Sequence, residues 1–223
     1  MTNGSPGSGK LTRVRLWDPG IRLFHWALAI CVATAWFLGE FGPGIMTLHF
    51  YFGYAVIGLL VFRLIWGLVG PWPARFRDFV YSPATFIAYL RGIRARTPSF
   101  WAGHNPMGAV SVFALLGVLG LQAYTGLFSD PDDFINKGPL ADSVSGSWVN
   151  WATGWHNALP PLILLLVLLH VGSIVYYRVW KGEDLVTPMI HGKKTVLGDV
   201  PEDRIIETID GAAETGTRHS DAA

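Results

Sequence analysis

Four stretches of the chain stay apolar long enough to cross a bilayer, and polar segments of differing character separate them. The first, LFHWALAICVATAWFLGE, predicts a helix over about 19–40. Asp18 is placed to cap it with Pro19 in the first helical position, and Gly42-Pro43-Gly44 breaks it. The second, LHFYFGYAVIGLLVFRLIWGLVG, predicts a helix over about 47–70, ending at Gly70-Pro71. Residues 71–105 are too rich in Arg and Pro to span. Within them SPATFIAYLRGIRAR sets apolar residues against arginines, the pattern of a short helix lying on the membrane surface. A third span starts at Asn105-Pro106 and runs to about Phe128. An acidic loop over 129–155 follows, then a fourth span over about 156–180 with Pro160-Pro161 in its first turns.

The expected fold class is an all-α membrane protein, a four-transmembrane-helix bundle with a short interfacial helix between the second and third spans. Residues 1–17 are expected to be a disordered tail, 18–181 the membrane domain, and 182–223 a polar, largely disordered tail. Composition agrees: 51% of the 223 residues are hydrophobic and only 15% charged. Ten Trp and thirteen Phe suit lipid-facing and interfacial positions, so membrane lipid is the first partner expected. The single cysteine, Cys31, excludes an intrachain disulfide and a cysteine-ligated iron–sulfur cluster. No phosphate-cradling glycine motif occurs, and no nucleic-acid partner is expected. The first twenty residues lack the apolar core of a cleavable signal peptide.

The placement of charge orients the bundle. Of the 17 Lys and Arg, Lys137 alone falls in an outer loop, which instead holds Asp130, Asp132, Asp133 and Asp142. By the positive-inside rule both termini are cytoplasmic.

Four histidines lie in or at the edges of the spans, where an imidazole needs a partner or a task. His156 and His170 are 14 residues apart on the fourth span. That is nearly four turns, so both leave one face of the helix, about 21 Å apart along its axis. The orientation puts His25 near the inner end of the first span and His49 at the outer end of the second. His25 with His170 then makes an inner pair, and His49 with His156 an outer pair. Two imidazoles across a gap can ligate one haem iron axially, so the pattern predicts two stacked haems. The depths match well for the outer pair and less well for the inner, where His170 lies about ten residues before the end of its span; the rival is four unrelated polar side chains bonded between helices.

Other residues fit less specifically. Gly53, one turn after His49, would let a flat macrocycle approach, although glycine also serves ordinary helix packing. Arg63, in the inner half of the second span, calls for an anion such as a haem propionate. Arg22 could do the same or extend to the headgroups. His104 precedes the third span and suits a structural or proton-handling role. Gln122 suits a helix–helix hydrogen bond, and His191 and His219 a solvated tail.

In order, WDPGIRLFHW, LHFYFGYAVIGLLVFRLIWGLVGP, RFRDFVYSPATFIAYLRG, GHNPMGA, GLFSDPDD and LHVGSIVYY resemble the bacterial diheme cytochrome b561 family. The closer likeness is to the branch that includes cytochrome b subunits of nickel–iron hydrogenases, over about residues 14–195. The resemblance implies two haem b with bis-histidine ligation in the bacterial cell inner membrane. It also implies electron transfer between the quinone pool and a periplasmic partner, a c-type cytochrome or a hydrogenase small subunit. Residue by residue, the FHW histidine carries over to His25, the LHxxxGY histidine to His49, and the fourth-span pair to His156 and His170. Pro160-Pro161 departs from the family's pattern.

An electron-transfer subunit is thereby favoured over a stand-alone enzyme. Two alternatives use the same scaffold. A quinone-reducing oxidase of a small reductant such as superoxide would need a positive outer entrance, whereas the long outer loop is acidic. A haem-free transporter would use the histidines to move protons or metal, and would be colourless.

Overall fold

The computed structural model describes residues 11–44, 46–132, 135–197 and 200–209. The expected tails at 1–10 and 210–223, with His219, lie outside the described residues, as does Asp133. Four helices are long and apolar enough to cross a membrane: α1 (Pro19–Phe41), α2 (Thr47–Val69), α4 (Pro106–Phe128) and α5 (Gly146–Trp180). A short helix α3 (Pro83–Arg91) lies between α2 and α4, as expected.

The cap-and-proline starts are all used. Asp18 Oδ1 accepts from Ile21 N at 3.1 Å, Ser82 Oγ from Thr85 N at 3.1 Å, and Asn105 Oδ1 from Gly108 N at 2.8 Å. Each satisfies one of the N–H groups that a helix start leaves without a partner. α1 packs on α2 and α4 on α5, and contacts between α2 and α4 join the two hairpins. Few residues within the spans are buried. Leu23, Leu68 and Val179 are more than 70% exposed, which is expected of side chains that meet lipid rather than protein.

Two boundaries differ from expectation. The fourth span does not start near residue 156: α5 begins at Gly146, with Ser145 as N-cap, and is 35 residues long. Nothing in SWVNWATGWH breaks a helix; its lower hydropathy hid a helix that continues outward past the end of α4. Pro160 and Pro161 are therefore in the interior of α5 rather than in its first turns.

The second correction concerns the tails. Disorder was expected over 1–17 and 182–223, but residues 11–15 form strand β1 (Leu11–Arg15). A six-residue helix α6 (Val186–His191) leads into β2 (Lys193–Leu197), and β3 (Ile205–Ile209) follows. The sheet order is β2-β1-β3, both pairings antiparallel. Both ends of the described chain thus meet on one side of the bundle. The main cluster of buried residues lies there too: Val14, Leu16, Trp17, Ile21, Phe24, Ala74 and Val196. Gly192 closes α6 at φ 78°, and its carbonyl accepts from Leu16 N at 2.8 Å. A Cβ there would stand 2.6 Å from the Trp17 carbonyl, so both the turn and the close approach require glycine.

An ion pair locks this end. Lys194 Nζ lies 2.8 Å from Glu183 Oε1, and both residues are buried. Glu183 Oε2 accepts from Ser99 N and Oγ, both at 2.9 Å, and Lys194 Nζ donates to Trp101 O at 3.1 Å. Burial pushes the Glu183 carboxyl up, but the Lys194 charge and these hydrogen bonds outweigh it and hold the carboxyl below its usual value. The pair's stabilisation is therefore present above the unfolded carboxylate value of about 4.3 and is lost as pH falls through the lower folded value. Lys194→Met leaves a buried carboxylate without its cation and destabilises this end by about 3–5 kcal/mol. Limited trypsin digestion of the purified protein at neutral pH checks this: the C-terminal segment is released faster than in the parent protein.

Candidate functional site

The structure brings the intramembrane histidines together in two places. His25 and His170 have ring centroids 6.3 Å apart, and His49 and His156 have centroids 6.0 Å apart. A single metal ion between opposed imidazoles, at about 2 Å from each nitrogen, separates the ring centroids by about 6 Å. Each pair joins α5 to another helix, α1 for the inner pair and α2 for the outer.

The outer pair is held from behind. His49 Nδ1 lies 2.8 Å from the Ala35 carbonyl on α1, and His156 Nδ1 lies 3.0 Å from the Gln122 carbonyl on α4. A carbonyl can only accept, so each Nδ1 carries the proton and each Nε2 is left unprotonated. Imidazoles that ligate metal are oriented by such bonds from the other ring nitrogen. One turn beyond each accepting carbonyl stands a glycine. A Cβ on Gly39 would lie 3.3 Å from His49 Cε1, and one on Gly126 would lie 2.8 Å from His156 Cε1. Ala35–Gly39 and Gln122–Gly126 are thus matching cradles, each with a carbonyl for the ring N–H and a missing side chain for the ring itself. The sequence reading did not identify Gly39, Gly126 or Ala35. A glycine one turn after an acceptor, on the helix facing a histidine, was the available signal.

Two cavities adjoin this pair, of about 440 Å³ and about 150 Å³, and both are lined by His49, Gly53 and His156. The larger lies in the usual range for small-molecule sites. A Cβ on Gly53 would meet nothing within 4 Å, so Gly53 opens onto free space rather than onto a packed neighbour. Val32, Val56, Leu119 and Ile163 give the larger cavity apolar walls.

At the inner pair, His170 Nδ1 is 3.5 Å from Ser111 Oγ, and His25 Nδ1 has no partner. Arg63 is only 2% exposed. Its guanidinium lies 4.4 Å from the centre of the Phe76 ring, and its Nη1 has no hydrogen-bond partner. A buried donor without an acceptor fits an anionic group arriving with a ligand. Arg22 is partly engaged: its Nη1 donates to the Ile190 carbonyl and its buried Nε has no hydrogen-bond partner, while Trp26 Nε1 donates to Met189 O at 3.3 Å, so both residues tie α1 to α6.

His104 is packed between the rings of Trp17 and Phe79, with centroids 5.0 and 4.8 Å away, and Tyr81 OH hydrogen-bonds its carbonyl. Burial, aided by the nearby Arg63 charge, lowers its pKa to about 3, so the ring stays neutral at physiological pH. That favours a structural place over proton delivery. His191 is exposed, as expected.

The donor sets narrow the chemistry. Among the described residues no group of three or more His, Cys, Asp or Glu could hold a metal ion. A bare ion such as zinc takes four ligands, whereas two opposed imidazoles suffice for an iron whose other four positions are supplied by a porphyrin. Paired imidazoles at two depths of a four-helix membrane bundle describe a class of protein, the membrane-embedded b-type cytochromes.

The family model for prokaryotic cytochrome b561 matches residues 16–192, and the chain belongs to that family. It is 25% identical over 224 residues to a probable Ni/Fe-hydrogenase B-type cytochrome subunit of Azotobacter vinelandii, an alignment that takes in 86% of this chain and 93% of the relative. The corresponding protein of Azotobacter chroococcum mcd 1 is likewise 25% identical, over 226 residues, with the same shares covered. The chain is a multi-pass membrane protein of a haem b family, and its function is transmembrane electron transfer.

Proposed function

We propose that the chain relays electrons between the quinone pool and a periplasmic redox partner through two haem b, one held by His25 and His170 and the other by His49 and His156. The observation that carries this is the spacing of the two imidazole pairs, 6.3 and 6.0 Å between centroids, each sharing α5. Bound there, haem would supply a one-electron iron couple, with His25 and His170 holding one iron and His49 and His156 the other.

The protein's own groups do the rest. The Ala35 and Gln122 carbonyls accept from the Nδ1 of the outer histidines and leave Nε2 as the nitrogen that would bind iron. Apolar side chains along the larger cavity exclude water. Arg63, whose Nη1 has no hydrogen-bond partner, would offer that donor to a propionate at the inner pair. Gly53 leaves room for the macrocycle edge. His156 and His170, 14 residues apart, put the two centres about 21 Å apart along α5, so that each faces one side of the membrane.

The placement in a cell inner membrane with both termini cytoplasmic is supported by the distribution of Lys and Arg and by the shared side of β1, β2 and β3. In the long outer loop Lys137 is engaged by Asp130 at 3.2 Å and Asp142 at 2.6 Å, so the loop presents net negative charge. That suits a basic docking face on the partner and would repel a small anionic reductant. A partner of the hydrogenase small-subunit type is supported by what the Azotobacter relatives are named for, and a c-type cytochrome is the other candidate.

Purification from haem-replete cells, with haem content measured against protein and a reduced-minus-oxidised spectrum, tests the proposal. Two haem b per chain are expected. A colourless protein, or one haem per chain, overturns it.

A further inference from the structure

α5 passes through Pro160 and Pro161 without ending. Proline has no N–H, and in a helix the N–H of residue 160 is the one that would bond the carbonyl of residue 156. The proline ring also crowds the carbonyl four residues before it. Pro160 therefore disturbs the backbone of His156 itself. In hydrocarbon a carbonyl left unpaired in this way is expensive. It is not left unpaired: Gln122 Nε2, on α4, donates to His156 O at 3.1 Å.

We propose that Gln122 is a positioning residue whose side-chain amide replaces the backbone N–H that Pro160 removes, and so fixes the aim of His156. This rests on His156 being a haem ligand. Gln122 meets the histidine at three points: its own carbonyl lies 3.0 Å from His156 Nδ1, its side-chain Nε2 donates to the His156 carbonyl at 3.1 Å, and that same Nε2 stands 3.5 Å from His156 Nε2. Gly126, one turn on, sets how closely the ring approaches α4. With backbone, ring nitrogen and ring edge all fixed from one helix, the imidazole plane has no remaining freedom to turn. Pro160 in turn has a use: it frees a carbonyl for a second helix to grip, which an unbroken α5 would have consumed internally.

An interhelical hydrogen bond that merely stabilised the bundle would act regardless of residue 160. The proposed one acts only because Pro160 is there. Full-length protein carrying Gln122→Leu, Pro160→Ala, or both, is purified and compared by low-temperature paramagnetic resonance and by the rate of haem transfer to apomyoglobin. Gln122→Leu shifts the low-spin signal of the outer haem and speeds its loss about tenfold, the usual scale for removing an orienting partner. The inner haem keeps its signal. Pro160→Ala restores an N–H at that position, and the double variant regains the signal and retention of the parent. Gln122→Asn keeps an amide but is one methylene too short to reach, so it reproduces the shift if the leucine variant fails to accumulate.

An unchanged outer signal in Gln122→Leu overturns the proposal. So does a double variant as impaired as the single, because the bond is then general packing. A failure of the ligation reading is separate and visible: His156→Ala would then keep both haems, whatever Gln122 does.

Discussion

Alanine at His49 or at His156 removes one haem, and the same haem in both cases; alanine at His25 or at His170 removes the other. The ground is geometric. His49 on α2 faces His156 on α5, while His25 on α1 faces His170 fourteen residues further along α5. On the proposed reading, losing either imidazole of a pair would leave the iron held by one histidine only, too few to retain the haem. On the proposed reading the two centres would act in series, so a large loss of electron transfer is expected. Haem content falls from two to one per chain in each single variant, and quinol-dependent reduction of an outer acceptor falls to background. His49→Ala combined with His156→Ala is no worse than either alone, whereas His49→Ala with His25→Ala is colourless. Loss of the same haem in His25→Ala and His49→Ala would show the pairing to be wrong.

Replacing Arg63 with methionine lowers the midpoint potential of the inner haem and leaves the outer one nearly unmoved. On α2, Arg63 follows His49 by 14 residues, the same interval that separates His156 from His170 on α5. Arg63 therefore stands on the helix face that carries His49, at the level of the inner pair. Its charge is enclosed, stacked on Phe76 and lacking a partner at Nη1. A nearby cation favours the electron-rich state of a redox centre, so removing it makes reduction harder. A unit charge on the order of 10 Å away at an effective dielectric near 20 is worth roughly 1–2 kcal/mol, or about 50–100 mV for one electron. A redox titration that resolves the two haems measures the shift. An unmoved inner potential would place Arg63 outside the cofactor's field.

The four spans were legible because hydropathy reports long apolar helices directly, and Asp18-Pro19, Ser82-Pro83 and Asn105-Pro106 marked three helix starts. Which histidines share a level, His25 with His170 and His49 with His156, followed from the order of the spans. The start of α5 was not legible, because residues 146–155 are amphipathic and aromatic rather than continuously apolar. The sheet was hidden for another reason. Each strand is only five residues long, and β1 is nearly 180 residues from β2, so nothing local declares the pairing. The cradles around His49 and His156 depend on which helix lies behind which ring, a tertiary fact that spacing on one helix does not contain. Gln122 was read as an interhelical hydrogen bond, and its side chain makes one, but its acceptor is identified only once α4 lies against Pro160's turn.

β1 is the central strand of its sheet, and both of its neighbours come from the last part of the chain. While the ribosome is still delivering the spans, β1 has neither neighbouring strand to pair with, and Val14 lacks Val196 from its cluster. The sheet closes only after Ile209 has been made. A product cut short before Lys193 keeps a two-sided bare strand at the membrane surface, where it is open to sticking and to proteases. The sheet therefore separates molecules that extend through β3 from fragments that have every span but no seal.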